Sequence, residues 1–168
     1  KKIDPKGNLL VIFGSVGSSK SPLERNLVDI NSIENTLKIF ESKKLKNIPT
    51  LFRLHFSFKE HFNSYYYEKY FKKNKGNNKI DLGLSNLKDL QFKSRLNMFN
   101  SNSTGLLENL VLNIPTVCLF EEEHDYHGQK LKNIYSNLIK AKIIFFNKEK
   151  LIDHIFDIWN DIDHWWFN

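Results

Sequence analysis

Two stretches of small polar residues follow an apolar run and lead into a helical pattern. One is Ser101-Asn102-Ser103-Thr104-Gly105, continued by Leu106-Leu107-Glu108-Asn109-Leu110. The first N–H groups of a helix have no intrahelical partner and lie at the positive end of its dipole. Such a start suits an anion, a diphosphate above all. The Ser103 and Thr104 hydroxyls add donors, and Glu108, one turn in, can accept from ribose hydroxyls. The same residues also read as a plain helix cap, because Ser and Thr are favoured there. The other stretch is Gly14-Ser15-Val16-Gly17-Ser18-Ser19. It matches neither the Walker A loop nor the Gly-x-Gly-x-x-Gly fingerprint. Gly14 and Ser15 therefore stand as phosphate-contacting candidates beside the simpler reading of a surface connection.

Arg53 and His55 alternate along one apolar segment, which in a strand puts both on the same face. An arginine there could grip phosphate through two parallel hydrogen bonds. A salt-bridged arginine beside a neutral histidine is the alternative. Arg95 precedes the segment leading to the Ser/Thr turn and is either a second cation for the same phosphate or a structural residue. Glu121-Glu122-Glu123-His124-Asp125-Tyr126-His127 has metal-ligating types, but no third ligand is fixed by spacing and His-Glu-x-x-His is absent. No metal is expected. No Ser-His-Asp order, paired-carboxylate signature or zinc-type cysteine pair is present, so the sequence names no catalytic residue. Cys118, the single cysteine, lies in an apolar run and reads as a small core residue. The tail Trp159-Asn160-Asp161-Ile162-Asp163-His164-Trp165-Trp166 reads as a C-terminal helix stapled onto the domain by three large aromatics.

The elements that must position these residues alternate. Apolar runs at 9–13, 50–55, 80–82, 96–100, 116–120 and 143–146 read as strands. Helical spacing or capping marks 22–44, 58–73, 84–92, 104–112, 126–140 and 148–161. Ser85 is the expected cap of the third helix. Short strands separated by helices predict a doubly wound, mostly parallel α/β sheet of about six strands. The 168 residues suit one domain. No membrane-spanning run and no secretory signal is visible.

The net charge of +6 invites a nucleic-acid reading. Only Arg25, Arg53 and Arg95 are arginines among the 25 basic residues, and Ala141 is the only alanine. Proteins that read bases lean on arginine. A lysine- and asparagine-rich, alanine-poor chain instead fits codon drift in an AT-rich genome, so no nucleic-acid partner is expected.

Several segments resemble the C-terminal half of bacterial surface-carbohydrate biosynthesis transferases, which are similar to GT-B glycosyltransferases and include polysialyl- and glycerophospho-transferase relatives. They are Leu51-Phe52-Arg53-Leu54-His55, Ile80-Asp81-Leu82-Gly83, Lys93-Ser94-Arg95-Leu96, Asn102 to Leu110, Asn113-Ile114-Pro115-Thr116, and Trp159-Asn160-Asp161-Ile162 followed by Trp165-Trp166. The chain departs from that pattern at His55-Phe56, where relatives have Tyr-Pro, and at Phe120-Glu121-Glu122-Glu123. The resemblance implies a Rossmann-like three-layer domain over 1–168 that binds a nucleotide-sugar donor and forms the C-terminal half of a two-domain transferase. Ser101, Asn102, Ser103, Thr104, Arg53 and Arg95 would hold the donor phosphates, and Glu108 the ribose or sugar. Gly14, Ser15 and His55 are further candidates. No cofactor is implied beyond the nucleotide-sugar substrate. The implied partners are a glycan or lipid-linked acceptor, as in lipopolysaccharide and other surface-polysaccharide biosynthesis, and a missing N-terminal domain, which would carry the catalytic base. The implied location is cytoplasmic or peripheral at the inner face of the membrane. The competing class is a non-catalytic nucleotide- or polyanion-binding module.

Overall fold

The computed structural model describes residues 4, 6–13, 35–54, 78–120 and 129–168. They form six strands, β1 (Leu9–Ile12), β2 (Thr50–Arg53), β3 (Asn78–Asp81), β4 (Leu96–Phe99), β5 (Thr116–Leu119) and β6 (Ile144–Phe145). The helices are α1 (Leu87–Lys93), α2 (Thr104–Val111), α3 (Gln129–Lys140), α4 (Lys148–Ile158) and α5 (Ile162–Phe167); residues 35–39 are also helical. The expected helix 58–73 lies outside the described residues.

All strand pairings are parallel, in the order β3-β2-β1-β4-β5-β6. This is the Rossmann-like α/β arrangement. The central strands are buried on both faces, which is why β1 and β4 are continuous apolar runs broken only by Asn97. Their alternate residues feed two cores. Leu9, Val11 and Phe13 join Leu96, Met98 and Val117 under α4 and α5, through Leu151, Ile155 and Ile162. Leu10 and Ile12 join Phe99 and Cys118 under α1, α2 and α3, through Leu90, Leu106 and Tyr135. Helices therefore cover both faces, and the sheet is the middle of three layers.

Several boundaries differ from the sequence reading. The helix expected over 22–44 ends, in its described part, at residue 39; the chain then turns through tighter bonds such as Phe40 N–H to Leu37 O and Leu45 N–H to Ser42 O. The cap of α1 is Asn86, whose Oδ1 accepts from the N–H groups of Lys88 and Asp89. The tail is helical, as expected, but its helix is separate from α4. Asp161 caps α5 by accepting from the His164 N–H, so the helix expected to run to Asp161 stops at Ile158 and a new one begins.

That last helix and Trp159, at the end of α4, stitch three loops at the amino edge of the sheet. Trp165 Nε1 donates to Ala141 O at 3.2 Å, and Trp166 Nε1 to Asn113 Oδ1 at 2.8 Å. The Arg95 guanidinium lies 5.1 Å from the Trp159 ring centre. Each contact holds the approach to a different strand: Arg95 enters β4, Asn113 precedes β5 and Ala141 precedes β6. Asn113 and Lys142 both take left-handed backbone there, with φ 53 and 57.

Candidate functional site

In an open parallel sheet, ligands bind beyond the carboxyl ends of the strands, where neighbouring connections run in opposite directions. Here that switch lies between β1 and β4, because the chain leaves β1 toward β2 and β3 and returns to β4 on the other side. The carboxyl end of β1 leads to Gly14 and Ser15, which lie outside the described residues. The carboxyl end of β4 leads to Asn100 and the turn Ser101-Asn102-Ser103, and α2 starts at Thr104.

Several interactions build this turn. Ser103 is the cap, its Oγ accepting from the Leu106 N–H at 3.4 Å. Among the described residues, no hydrogen bond occupies the N–H groups of Thr104 and Gly105, which stay available to a ligand. Gly105 brings the helix start close to the sheet: a Cβ there would sit 3.1 Å from Phe99 Cε1. Cys118 is fully buried on β5, with its Sγ 3.5 Å from the Ser101 carbonyl oxygen. Thr104, Asn102 and Glu108 are exposed at the start and along the outer side of α2.

Further along, α2 is locked to β5. Asn109 and Thr116 are fully buried, and Asn109 Nδ2 donates to Thr116 Oγ1 at 3.1 Å. Thr116 Oγ1 in turn donates to Ile114 O. The Leu-Glu-Asn-Leu and Asn-Ile-Pro-Thr segments therefore meet as a structural clasp, and that clasp fixes the direction in which α2 presents its first turn.

The arginines are placed differently. Arg53 ends β2, at the carboxyl edge. Its Nη1 donates to Leu54 O at 2.8 Å and lies 3.4 Å from Asp81 Oδ1, and its Nη2 donates to Ser85 O at 3.1 Å. Asp81 also accepts from the N–H groups of Gly83, Leu84 and Ser85. Burial alone would raise the Asp81 pKa; the Ser85 side chain and these backbone donors outweigh it and hold the carboxyl below its ordinary value. Arg53 is thus joined to the loop after β3 and not to the 101–104 turn. Arg95 stands at the amino end of β4, the opposite edge, against Trp159. His55 and the Glu121–His127 segment lie outside the described residues. Among the described residues, no group of three or more His, Cys, Asp or Glu could hold a metal ion.

Sequence reasoning missed a cleft of about 410 Å³ at the carboxyl edge. Asn35, Thr36, Asn100, Phe120, Asn147, Lys148 and Glu149 line it, and Lys148 Nζ lies 3.8 Å from Glu149 Oε1. Asn100 is buried, and its Nδ2 lies 3.5 Å from Thr36 Oγ1. Asn100, Phe120 and Asn147 each stand just beyond a strand end, at β4, β5 and β6. Their position after a strand was the available signal. The cleft offers neutral amides and a hydroxyl, the Lys148–Glu149 pair, and the Phe120–Phe146 edge-to-face ring pair at 5.8 Å.

A family model described as LIC12162 family transferase matches residues 20–168, and the chain belongs to that family. No curated protein matches, and neither does any solved structure.

Proposed function

From membership of that transferase family, we propose that the protein moves a glycosyl group from a nucleotide-sugar donor to a surface carbohydrate, working as the donor-binding part of a GT-B-type enzyme. The observation that carries this reading is the α2 start at the β1/β4 switch point, where no hydrogen bond among the described residues occupies the Thr104 and Gly105 N–H groups. When the sugar leaves, negative charge develops on the nucleotide diphosphate. Fixed N–H donors and a helix dipole stabilise that charge without rearranging. The Thr104 hydroxyl adds a donor, and Lys148, at the cleft beyond β4–β6, would supply a cation on leaving its exposed pairing with Glu149 at 3.8 Å. Glu108 accepts from ribose or sugar hydroxyls. The acceptor and the catalytic base belong to a second domain in this reading.

The test is a thermal-shift and calorimetric screen against nucleoside diphosphates, since a ligand that binds only the folded state raises its melting temperature. One nucleotide should bind, and Thr104→Val should weaken it about tenfold, the loss of roughly one hydrogen bond to a charged group. The melting temperature without ligand should not change. Failure of every nucleotide diphosphate to bind would overturn the assignment.

A further inference from the structure

β6 is the last strand of the sheet, and among the described residues no strand pairs with its outer edge. On the inner edge, the Cys118 N–H donates to Ile143 O and the Phe120 N–H to Phe145 O. With Cys118 opposite Ile144 in a parallel ladder, that pattern turns the Ile144 N–H and C=O outward, away from β5. No backbone group among the described residues bonds to either. A bare edge strand leaves such groups open to water. Ile144 is instead only 2% exposed. Buried backbone groups are nearly always paired, so this N–H and C=O call for a partner.

A groove of about 480 Å³ runs along this edge, between the end of α3 and the flank of α4. Ile144 and Phe145 form part of its floor. On the α3 side, Ile139 gives it an apolar wall. On the α4 side the wall is polar, with Lys150, Asp153, His154 and Asp157. Asp153 is taken by Lys44 at 2.6 Å. Lys142, Lys150 and Asp157 make no ion pair among the described residues, so two lysines face one carboxylate and the groove keeps an unspent positive charge. His154 is 7% exposed, and its Nε2 is buried with no hydrogen-bond partner among the described residues. Side chain and backbone thus both leave hydrogen-bonding capacity unused at the same place.

We propose that the groove takes an extended acidic peptide of a partner protein, which adds a strand to β6. One peptide residue meets the Ile144 N–H and C=O with its own backbone, and strand alternation then sorts its neighbours. The residue opposite Ile144 turns its side chain to the α3 side, as Ile144 does, and is apolar against Ile139. The residues on either side of it turn to the α4 side, where a carboxylate meets the ammonium of Lys150, with Lys142 and the His154 ring close by. A second copy of this chain is a poor occupant, because its own β6 is equally recessed and two recessed edges cannot approach to the roughly 4.8 Å that strand pairing needs. The groove lies two strands away from the β1/β4 switch point, so the proposal does not depend on which group is transferred.

The experiment is fluorescence anisotropy with a labelled, end-blocked heptapeptide in which valine alternates with glutamate, read beside amide NMR shifts of the full chain. The peptide should bind in the micromolar range and move the amide signals of Ile144 and of the α3 end. The same peptide methylated on its valine nitrogens keeps its charge but loses the backbone donor, and should bind at least about fivefold more weakly. Lys150→Glu should weaken the unmethylated peptide about fivefold or more, because it reverses a charge at the groove. Lys88→Glu makes the same change in net charge on α1 and should cost less than about twofold. Both lysines are exposed, and unchanged melting temperatures show that both variants fold. Equal binding by the methylated peptide would mean that no strand is added, and equal losses from the two variants would reduce the binding to net charge; either overturns the proposal. So would no binding by the wild type, amide shifts centred away from β6, or a dimer that Lys150→Glu converts to monomer.

Discussion

Arg53→Ala separates two roles that the sequence left together. The Arg53 side chain is 12% exposed and that of Asp81 8%. Truncation removes the donors to Asp81, Leu54 O and Ser85 O. The hydrogen bond to the carboxylate is long, 3.4 Å, so its loss costs about 1.5 kcal/mol, the low end for a charged partner. Leu54 is buried, and its carbonyl loses about 1 kcal/mol. The Ser85 contact is exposed, so water replaces it at little cost. Asp81 keeps its three backbone donors, which limits the charge penalty. The sum is roughly 2–3 kcal/mol of lost stability, or about 4–12 °C in melting temperature for a domain of this size. Urea and thermal melts measure it, alongside affinity for whichever nucleotide diphosphate binds. Arg53→Ala should lower stability and leave that affinity within about threefold of wild type, the effect of a small shift at one site. Full stability with lost affinity would refute the structural reading and make Arg53 a phosphate ligand.

Two further changes test the packing around the sheet. Trp165→Ala should cost about 3 kcal/mol, the low end for removing a large aromatic, because the residue is half-buried; Trp166→Phe, which loses only the bond to Asn113, should cost about 1 kcal/mol, both read from urea midpoints. His154 is buried between the rings of Phe145 and Trp165, at 5.2 and 4.9 Å. Burial, then the positive charge of Lys142, push its pKa from 6.5 down to about 4, with Asp157 pulling the other way. Between those values the unfolded chain holds a proton that the folded one does not, so stability should fall as pH drops from 6.5 toward 4, by at most about 3 kcal/mol. His154→Phe should flatten that part of a urea-midpoint profile against pH; an unchanged slope would sink the assignment.

The strands were legible because a parallel sheet covered on both faces demands continuous apolar runs, and Leu9–Ile12 and Thr116–Leu119 are such runs. The errors fall where a distant partner decides. Ser85 and Asn86 are both good caps, and local sequence favours neither. In the fold, the Ser85 N–H is taken by Asp81 and its carbonyl by Arg53, which leaves the cap to Asn86. Asp161 looked like the last residue of a helix, yet its carboxylate starts the next one because Trp165 and Trp166 must reach Ala141 and Asn113. The cleft at Asn35, Thr36 and Asn100 joins segments far apart in the chain, a juxtaposition that no local spacing encodes.

At the 101–104 turn, the cap and the binding site are not competing readings. Ser103 Oγ is spent on the Leu106 N–H, while a phosphate would take the N–H groups of Thr104 and Gly105. Capping fixes the backbone that holds those two donors in place, so the structural role prepares the chemical one. The same economy does not extend to the arginines. Arg53 stabilises the loop after β3, and Arg95 packs at the far edge against Trp159. In that reading, charge at the proposed donor site rests on the α2 dipole, with Lys148, paired with Glu149 at 3.8 Å, as the nearby cation. A lysine there works as a point charge and imposes little geometry on its phosphate. In the proposed binding mode, orientation of the donor would fall to the backbone donors and to the amides of Asn100 and Asn147, which stand beyond the ends of β4 and β6.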